Sequence, residues 1–572
     1  ASNVRAWRNI STGLFLNDDI KLSRRLTLTL GLRYDLYTRH TEKYGQATQL
    51  VLPAGSNLTN RVRAVNCYVD VSGAKGDNGQ PCNGGFEAIS GALTTGDHNN
   101  FGPRVGFAWD VFGDGKTALR GGFGTSYNGE VYNPLSNSRW DPPFYSFELA
   151  FCGTGNAVGA GNTDSCIFGP QNGAAPTYKG PPSNIGSGPA ATTDNAFAGN
   201  IQGWNPYNAN PAFLTGVVFP GFRDPYVFGT HLSVERQLPG NSVLKVSWVG
   251  TFGHKLYRSE DINRVFGGVD SQSGSGPSSS GECSLFGPYR VNCLFGRLRT
   301  WENSVNSNYN GLQVVFEKRM SHGLEWHSNY VWSHSLDGRS TWHSGATTAN
   351  GAEEGFSMDQ AIPGLDYGNS TFDARNSFTN SFVWQMPWLQ SQRGLVGHVL
   401  GGWSLNNIIT WRAGFPWTPY CSDSSFPSST CDYNRDGVSN DRPNAIPSVG
   451  NRASNSRSAF EGGAGHLNAS AFLACSVSPG PKCENYAGPF DGKLGRNTFL
   501  GPTFADIDLS LFKNIKATER VNIQFRAEAF NLANRVNLYM PNMRLGQSAG
   551  LFDLSSQAFP ARQIQFALKM IF

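Results

Sequence analysis

The amino-acid sequence predicts an all-β fold, a transmembrane antiparallel β-barrel with short turns at one end and long, disulfide-braced loops at the other. Three observations predict it. Apolar residues recur at every second position in about 13 segments, the period of a strand with two unlike faces. The connections between segments alternate strictly between short and long. All ten cysteines fall in the long connections, as five close pairs.

Taken in order, the segments begin with Ile10–Leu16 and Leu26–Leu36, where five leucines and Tyr34 oppose Thr27, Thr29, Gly31, Arg33 and Asp35. Val105/Phe107/Trp109/Val111, Leu119/Phe123/Tyr127, Phe228/Leu232/Val234 and Leu244/Val246/Trp248 follow. Next come Leu312/Val314/Phe316, Trp326/Tyr330/Trp332, Phe378/Phe382/Trp384, Trp403/Leu405/Ile409/Trp411 and Ile507/Leu509/Leu511. Val521–Ala529 alternates over its whole length, and Ile564, Phe566, Leu568, Met570 and Phe572 close the chain. Segments of about 10–14 residues suit a membrane crossing, which takes about 9–11, better than the usual soluble strand of about 5–6.

The long connections span 38–100, 128–225, 254–308, 337–372, 415–501 and 533–561. Short turns include Phe112–Lys116, Leu238–Asn241, Ser321–Gly323 and Lys516–Thr518, with a longer one at Trp388–His398. Antiparallel strands send alternate connections to opposite ends, so one end carries turns and the other carries loops. Outer-membrane barrels have this asymmetry, with the long loops extracellular.

Composition excludes other classes. Charged residues make up 15%, aromatics 12%, and glycine numbers 68. No apolar run approaches the ~18 residues of a spanning helix. A net charge of +4 gives no reason to expect nucleic acid as a partner. The chain starts at Ala1 without a signal-peptide pattern, so a mature or truncated chain is expected, with N-terminal parts outside it.

The cysteines are expected to pair locally as 67–82, 152–166, 283–293, 421–431 and 475–483. No zinc or redox spacing appears, so disulfides in an oxidising compartment are expected. Each would add ~2–3 kcal/mol of loop order.

Several strings resemble one family. "LTLTLGLRYDLY", "NFGPRVGFAWDVFGDGKTALRGGFGTSYN", "NYNGLQVVFEKR", "NYVWSHSLD", "GGWSLNNIITWRAGFPWTP", "DRPN" and "RAEAFNLANRVN" are similar to the barrel half of TonB-dependent outer-membrane receptors, with the Oar-like subgroup nearest. The resemblance implies a barrel of ~22 strands, of which this chain holds the C-terminal portion. It implies a plug and further N-terminal domains outside this sequence, coupling to the TonB complex through the plug, and a Gram-negative-type outer membrane. The terminal strand, with Phe566, Leu568, Met570 and Phe572, is expected to be read by the barrel-assembly machinery and also to face lipid.

Two features could carry ligand chemistry. Asp432, Asn434 and Asp436 before Gly437 reproduce the opening of a calcium loop, with Asp441 in place of the usual glutamate. The same run makes good solvated turns. No other cofactor is required. The loop aromatics Trp140, Phe144, Tyr145, Trp204, Tyr207, Trp417 and Tyr420 suit a sugar or peptide ligand, although aromatics in such loops more often build small loop cores.

No hydrolase, metalloprotease or Walker motif appears, so no enzyme and no catalytic residue is expected. The expected function is a receptor and transporter that binds ligand with its loops for energised uptake. The alternative is a structural or adhesive outer-membrane barrel, joined to other surface or periplasmic subunits.

Overall fold

The computed structural model describes residues 5–67, 70, 80–132, 135, 215–218, 221–263, 291–292, 298–341, 347–348, 351–352, 363–418, 420–421, 442, 444–445, 472–473, 494–518, 521–540, 544–545 and 559–572. Thirteen long strands form one sheet in chain order. They are β1 Ser11–Lys21, β2 Leu26–Tyr37, β3 Phe101–Asp110, β4 Thr117–Tyr127, β5 Tyr226–Leu238, β6 Ser242–Asp261 and β7 Leu298–Ser321. The series continues with β8 Leu324–Asp337, β9 Asn376–Gln385, β10 Trp403–Arg412, β11 Phe504–Lys516, β12 Asn522–Phe530 and β13 Gln563–Ile571. Every pair along this path is antiparallel. The thirteen expected segments are these thirteen strands.

Register carries the alternation across the sheet. Leu16 pairs with Leu32, Leu30 with Val105 and Val105 with Phe123. The same face runs on through Leu232↔Trp248, Trp248↔Leu312, Leu312↔Trp332, Tyr330↔Phe378 and Phe378↔Trp411. Leu405↔Leu511, Leu511↔Ala527 and Ala527↔Phe566 complete it. One face is therefore a continuous apolar and aromatic belt. Its members stand bare, as Leu32, Trp332 and Phe566 do at 49%, 55% and 70% exposed. The opposite face is polar and carries its own ion pairs, Arg33–Asp35 at 2.8 Å and Arg120–Glu235 at 3.1 Å.

Tight turns close one end. Between β7 and β8, His322 and Gly323 take φ 52° and 76°, a two-residue hairpin of the left-handed kind that matches strand twist. Gly240 and Asn241 turn β5 into β6 at φ 76° and 58°.

The structure departs from expectation in two places. β6 and β7 continue their ladder past the expected ends at 254 and 308, as far as Asp261 and Leu298, after an irregularity between Gly253 and Tyr257. Both faces of that extension are covered, so the sequence loses the two-faced alternation there. The connection between β9 and β10 is not a plain turn, because it holds a helix, α2 Gly394–Leu400.

Candidate ligand-binding cap

The cap stands on the end of the sheet opposite the turns. Its best described part is the connection after β2. A hairpin of Ala47–Val51 with Gly85–Ile89 is followed in space by a short helix, α1 Leu58–Ala64. Asn57 caps that helix by accepting from the Asn60 backbone N–H at 2.8 Å. Cys67 and Cys82 are disulfide-bonded within the same loop, as expected.

This loop packs on the extended ends of β6 and β7. Leu50, Val62, Val65 and Phe86 form one buried cluster with Ile262, Val291 and Leu298. Ala47 and Leu93 form another with Leu135, Phe222, Tyr257 and Trp301, where Phe222 and Tyr257 stack at 4.8 Å. The cap thus has its own apolar core, separate from the lipid-type belt.

Buried ion pairs tie the loops to one another. Arg39 donates to Asp224 at 2.5 Å with both side chains almost fully buried. Asn100 donates to the other Asp224 oxygen at 2.7 Å, and Arg39 also reaches the Thr95 carbonyl at 2.7 Å. The Asp224 backbone N–H donates to Asp97 at 3.1 Å. Burial pushes the Asp224 carboxyl above the usual aspartate range, and the bonds from Arg39 and Asn100 only partly offset it.

Beside this pair, His40 meets Glu130 at 3.1 Å, and Thr94 donates to the second Glu130 oxygen. Burial raises Glu130, but the hydrogen bonds from His40 and Thr94 outweigh it and hold the carboxyl below its ordinary value. Glu42 is held low in the same way by backbone N–H groups of Gln46, Ala6 and Tyr44, against burial.

A second network joins the ends of β8 and β11. Arg442 pairs with Asp366 at 2.8 Å and donates to the Leu494 and Leu365 carbonyls at 2.7 Å each. Arg496 donates to the Asp366 carbonyl at 2.7 Å, the Asp337 carbonyl at 2.6 Å and the Asp337 carboxylate. Asn369 and Asn497 exchange side-chain bonds to each other's backbone at 2.8 and 2.7 Å.

Of the expected ligand aromatics, only the Trp417 side chain is described. It is fully buried against Phe499, ring centroids 5.8 Å apart. Tyr420 lies in a two-residue strand paired with Arg544–Leu545. Trp140, Phe144, Tyr145, Trp204 and Tyr207 lie outside the described residues, as do the calcium-loop residues Asp432, Asn434, Asp436 and Asp441. So do Cys152, Cys166, Cys283, Cys293, Cys431, Cys475 and Cys483, and of Cys421 only the backbone is described. Among the described residues no group of three or more His, Cys, Asp or Glu is placed to hold a metal ion. On β13, Phe566, Leu568 and Met570 line the apolar face, and Phe572 follows at 89% exposed.

The residues that build the cap, Arg39, Asp224, Glu130, Asp337, Asp366 and Arg496, escaped the sequence reading. A signal was available for Arg442 and Asp337, which stand inside the family-like strings DRPN and NYVWSHSLD. For the others the only signal was a charge set in charge-poor loops.

The family model described as outer membrane beta barrel domain matches residues 1–565. The solved ferric-catecholate import receptor Fiu from E. coli K12 is similar at 8% identity and a TM-score of 0.38, covering 99% of this chain and 45% of that one. The siderophore receptor PiuA from Acinetobacter baumannii gives 8% identity, a TM-score of 0.39 and coverage of 99% and 43%. The outer membrane transporter YddB from Escherichia coli gives 9%, 0.39, and 99% against 54%. The chain spans about half the length of these structures or less. No curated protein matches it.

Proposed function

The chain belongs to the outer membrane β-barrel domain family and is an outer-membrane protein, and from that premise we propose that it is the receptor barrel of a TonB-dependent transporter of the Oar-like kind. The observation that carries this reading is the one-sided build. Bare turns close one end, and the other bears a folded cap whose loops are cross-tied by buried ion pairs. A cap with its own core is a preformed surface, and preformed surfaces bind with little ordering cost. In this reading the cap faces outward and captures the ligand. The plug, held by the polar face of the barrel, shifts when TonB pulls and lets the ligand pass. The protein does no chemistry on what it carries. Calcium held by Asp432, Asn434, Asp436 and Asp441 would brace one loop of the cap.

The test uses the full-length protein. Its plug-bearing form should bind the purified periplasmic domain of TonB, and cells whose inner membrane is uncoupled should keep surface binding of a labelled ligand panel (ferric siderophore, oligosaccharide, peptide) while losing import. If no TonB domain binds, the transport reading fails and the adhesive barrel takes its place.

A further inference from the structure

The connection Met386–Gly402 is the longest at the turn end, and its helix α2 has two unlike sides. At 3.6 residues per turn, Leu395, Val396, Val399 and Leu400 share an arc of about 140°. They are 84%, 63%, 57% and 55% exposed. Gly394, Gly397 and His398 take the opposite arc. Gly397 is buried, and a Cβ there would come within 2.9 Å of the Gln392 backbone. Gly394 and His398 on that arc are exposed, so the arc touches the protein at Gly397 alone, and the helix presents its apolar side outward.

Its anchors show which side of the sheet it occupies. Trp403 and Lys513 are register partners on the apolar face. Trp403 Nε1 donates to the Val399 carbonyl at 2.9 Å. Lys513 Nζ donates to the Val399 carbonyl at 3.3 Å and to the Gly401 carbonyl, a cation at the helix C-terminus. Gln392, itself buried, fixes the approach by donating to the Asn514 carbonyl at 2.8 Å and accepting from the Lys516 N–H at 3.2 Å. Trp388 meets Trp384 edge to face at 5.5 Å and continues the aromatic belt toward the helix.

We propose that α2 is a membrane-interface anchor that inserts Leu395, Val396, Val399 and Leu400 into a phospholipid leaflet. The occupant follows from continuity, because the bare side of α2 extends the apolar belt that the outer membrane already covers. The helix itself carries no Asp, Glu, Lys or Arg to meet a charged protein partner. Lys513 and the tryptophans flank it as interfacial residues do. Insertion does not depend on the transport reading; only the choice of leaflet rests on the orientation given there.

A diazirine amino acid placed singly at 395, 399 and 398 of the full-length protein, in vesicles of phosphatidylethanolamine and phosphatidylglycerol, tests this directly. Heat-modifiable migration in a denaturing gel certifies folding of each variant. Lipid adducts at 395 and 399 with none at 398 are expected, and Val399→Glu should abolish the adduct at 395. Protein adducts, or no adducts at all, at 395 and 399 in folded protein overturn the proposal, whatever the TonB-binding result.

Discussion

Asp224 and Arg39 show how single residues hold the cap. Both charges are out of water, so each is tolerable only because the other is there. Asp224→Ala leaves the Arg39 guanidinium buried without its anion, and Asn100 loses its acceptor as well. The expected cost is about 3–5 kcal/mol of local stability. Hydrogen exchange should rise in 39–40 and 94–100, while the belt strands stay protected. Arg496→Ala should act likewise on 337–340 and 365–369, read as new protease cuts there. Glu130 adds a pH dependence whose sign is fixed. Its carboxyl is held below the ordinary glutamate value of 4.5. The stability it contributes is fully present above pH 4.5 and is lost as pH falls through the lower folded value. Glu42 acts in the same direction, and Asp224, held high, acts in the opposite one. The difference between native protein and Glu130→Gln isolates the Glu130 share. Resistance of 128–132 to pepsin should fall between pH 5 and 3 in the native protein and change less in the variant.

Strands and turns were legible because each lies between two unlike media. Leu26–Tyr37 alternates because one face meets lipid and the other does not, and Val521–Ala529 alternates for the same reason. The far ends of β6 and β7 have loop on both sides, so alternation had nothing to record. Helix α2 spans seven residues, fewer than the 11–18 over which a helical period can be read. Two changes test the element scale. Gly323 has φ 76°, and a Cβ there would meet the Gln385 carbonyl oxygen at 2.4 Å. Gly323→Val should therefore cost more than the ~1–2 kcal/mol of left-handed strain alone, seen as a lower urea midpoint in lipid vesicles. His322→Gly should be nearly neutral. On the apolar belt, Phe566→Arg should cost about 2–4 kcal/mol if it lies near mid-bilayer. Lys569→Gln on the polar face should cost little by the same measurement.

At the scale of the whole molecule the sheet poses a closure problem. Among the described residues β1 pairs only with β2, and β13 only with β12. All nine residues of β13 are exposed, and so are ten of the eleven in β1. Backbone groups left bare on such an edge are not tolerated in hydrocarbon. The thirteen strands alternate in direction, so β1 and β13 run the same way. Direct closure would create a parallel pair in an otherwise antiparallel ring. Antiparallel closure takes an odd number of further strands, and nine would bring the total to the ~22 that the family resemblance implies and keep it even, as bacterial single-chain barrels are. The amides of Ser11–Lys21 and Gln563–Ile571 that face away from β2 and β12 should then be protected from exchange in the full-length protein in its native membrane. Each should also crosslink to a strand outside the thirteen when paired cysteines are placed across the edge. Fast exchange along both edges, or a β1–β13 crosslink, would mean that the ring closes some other way.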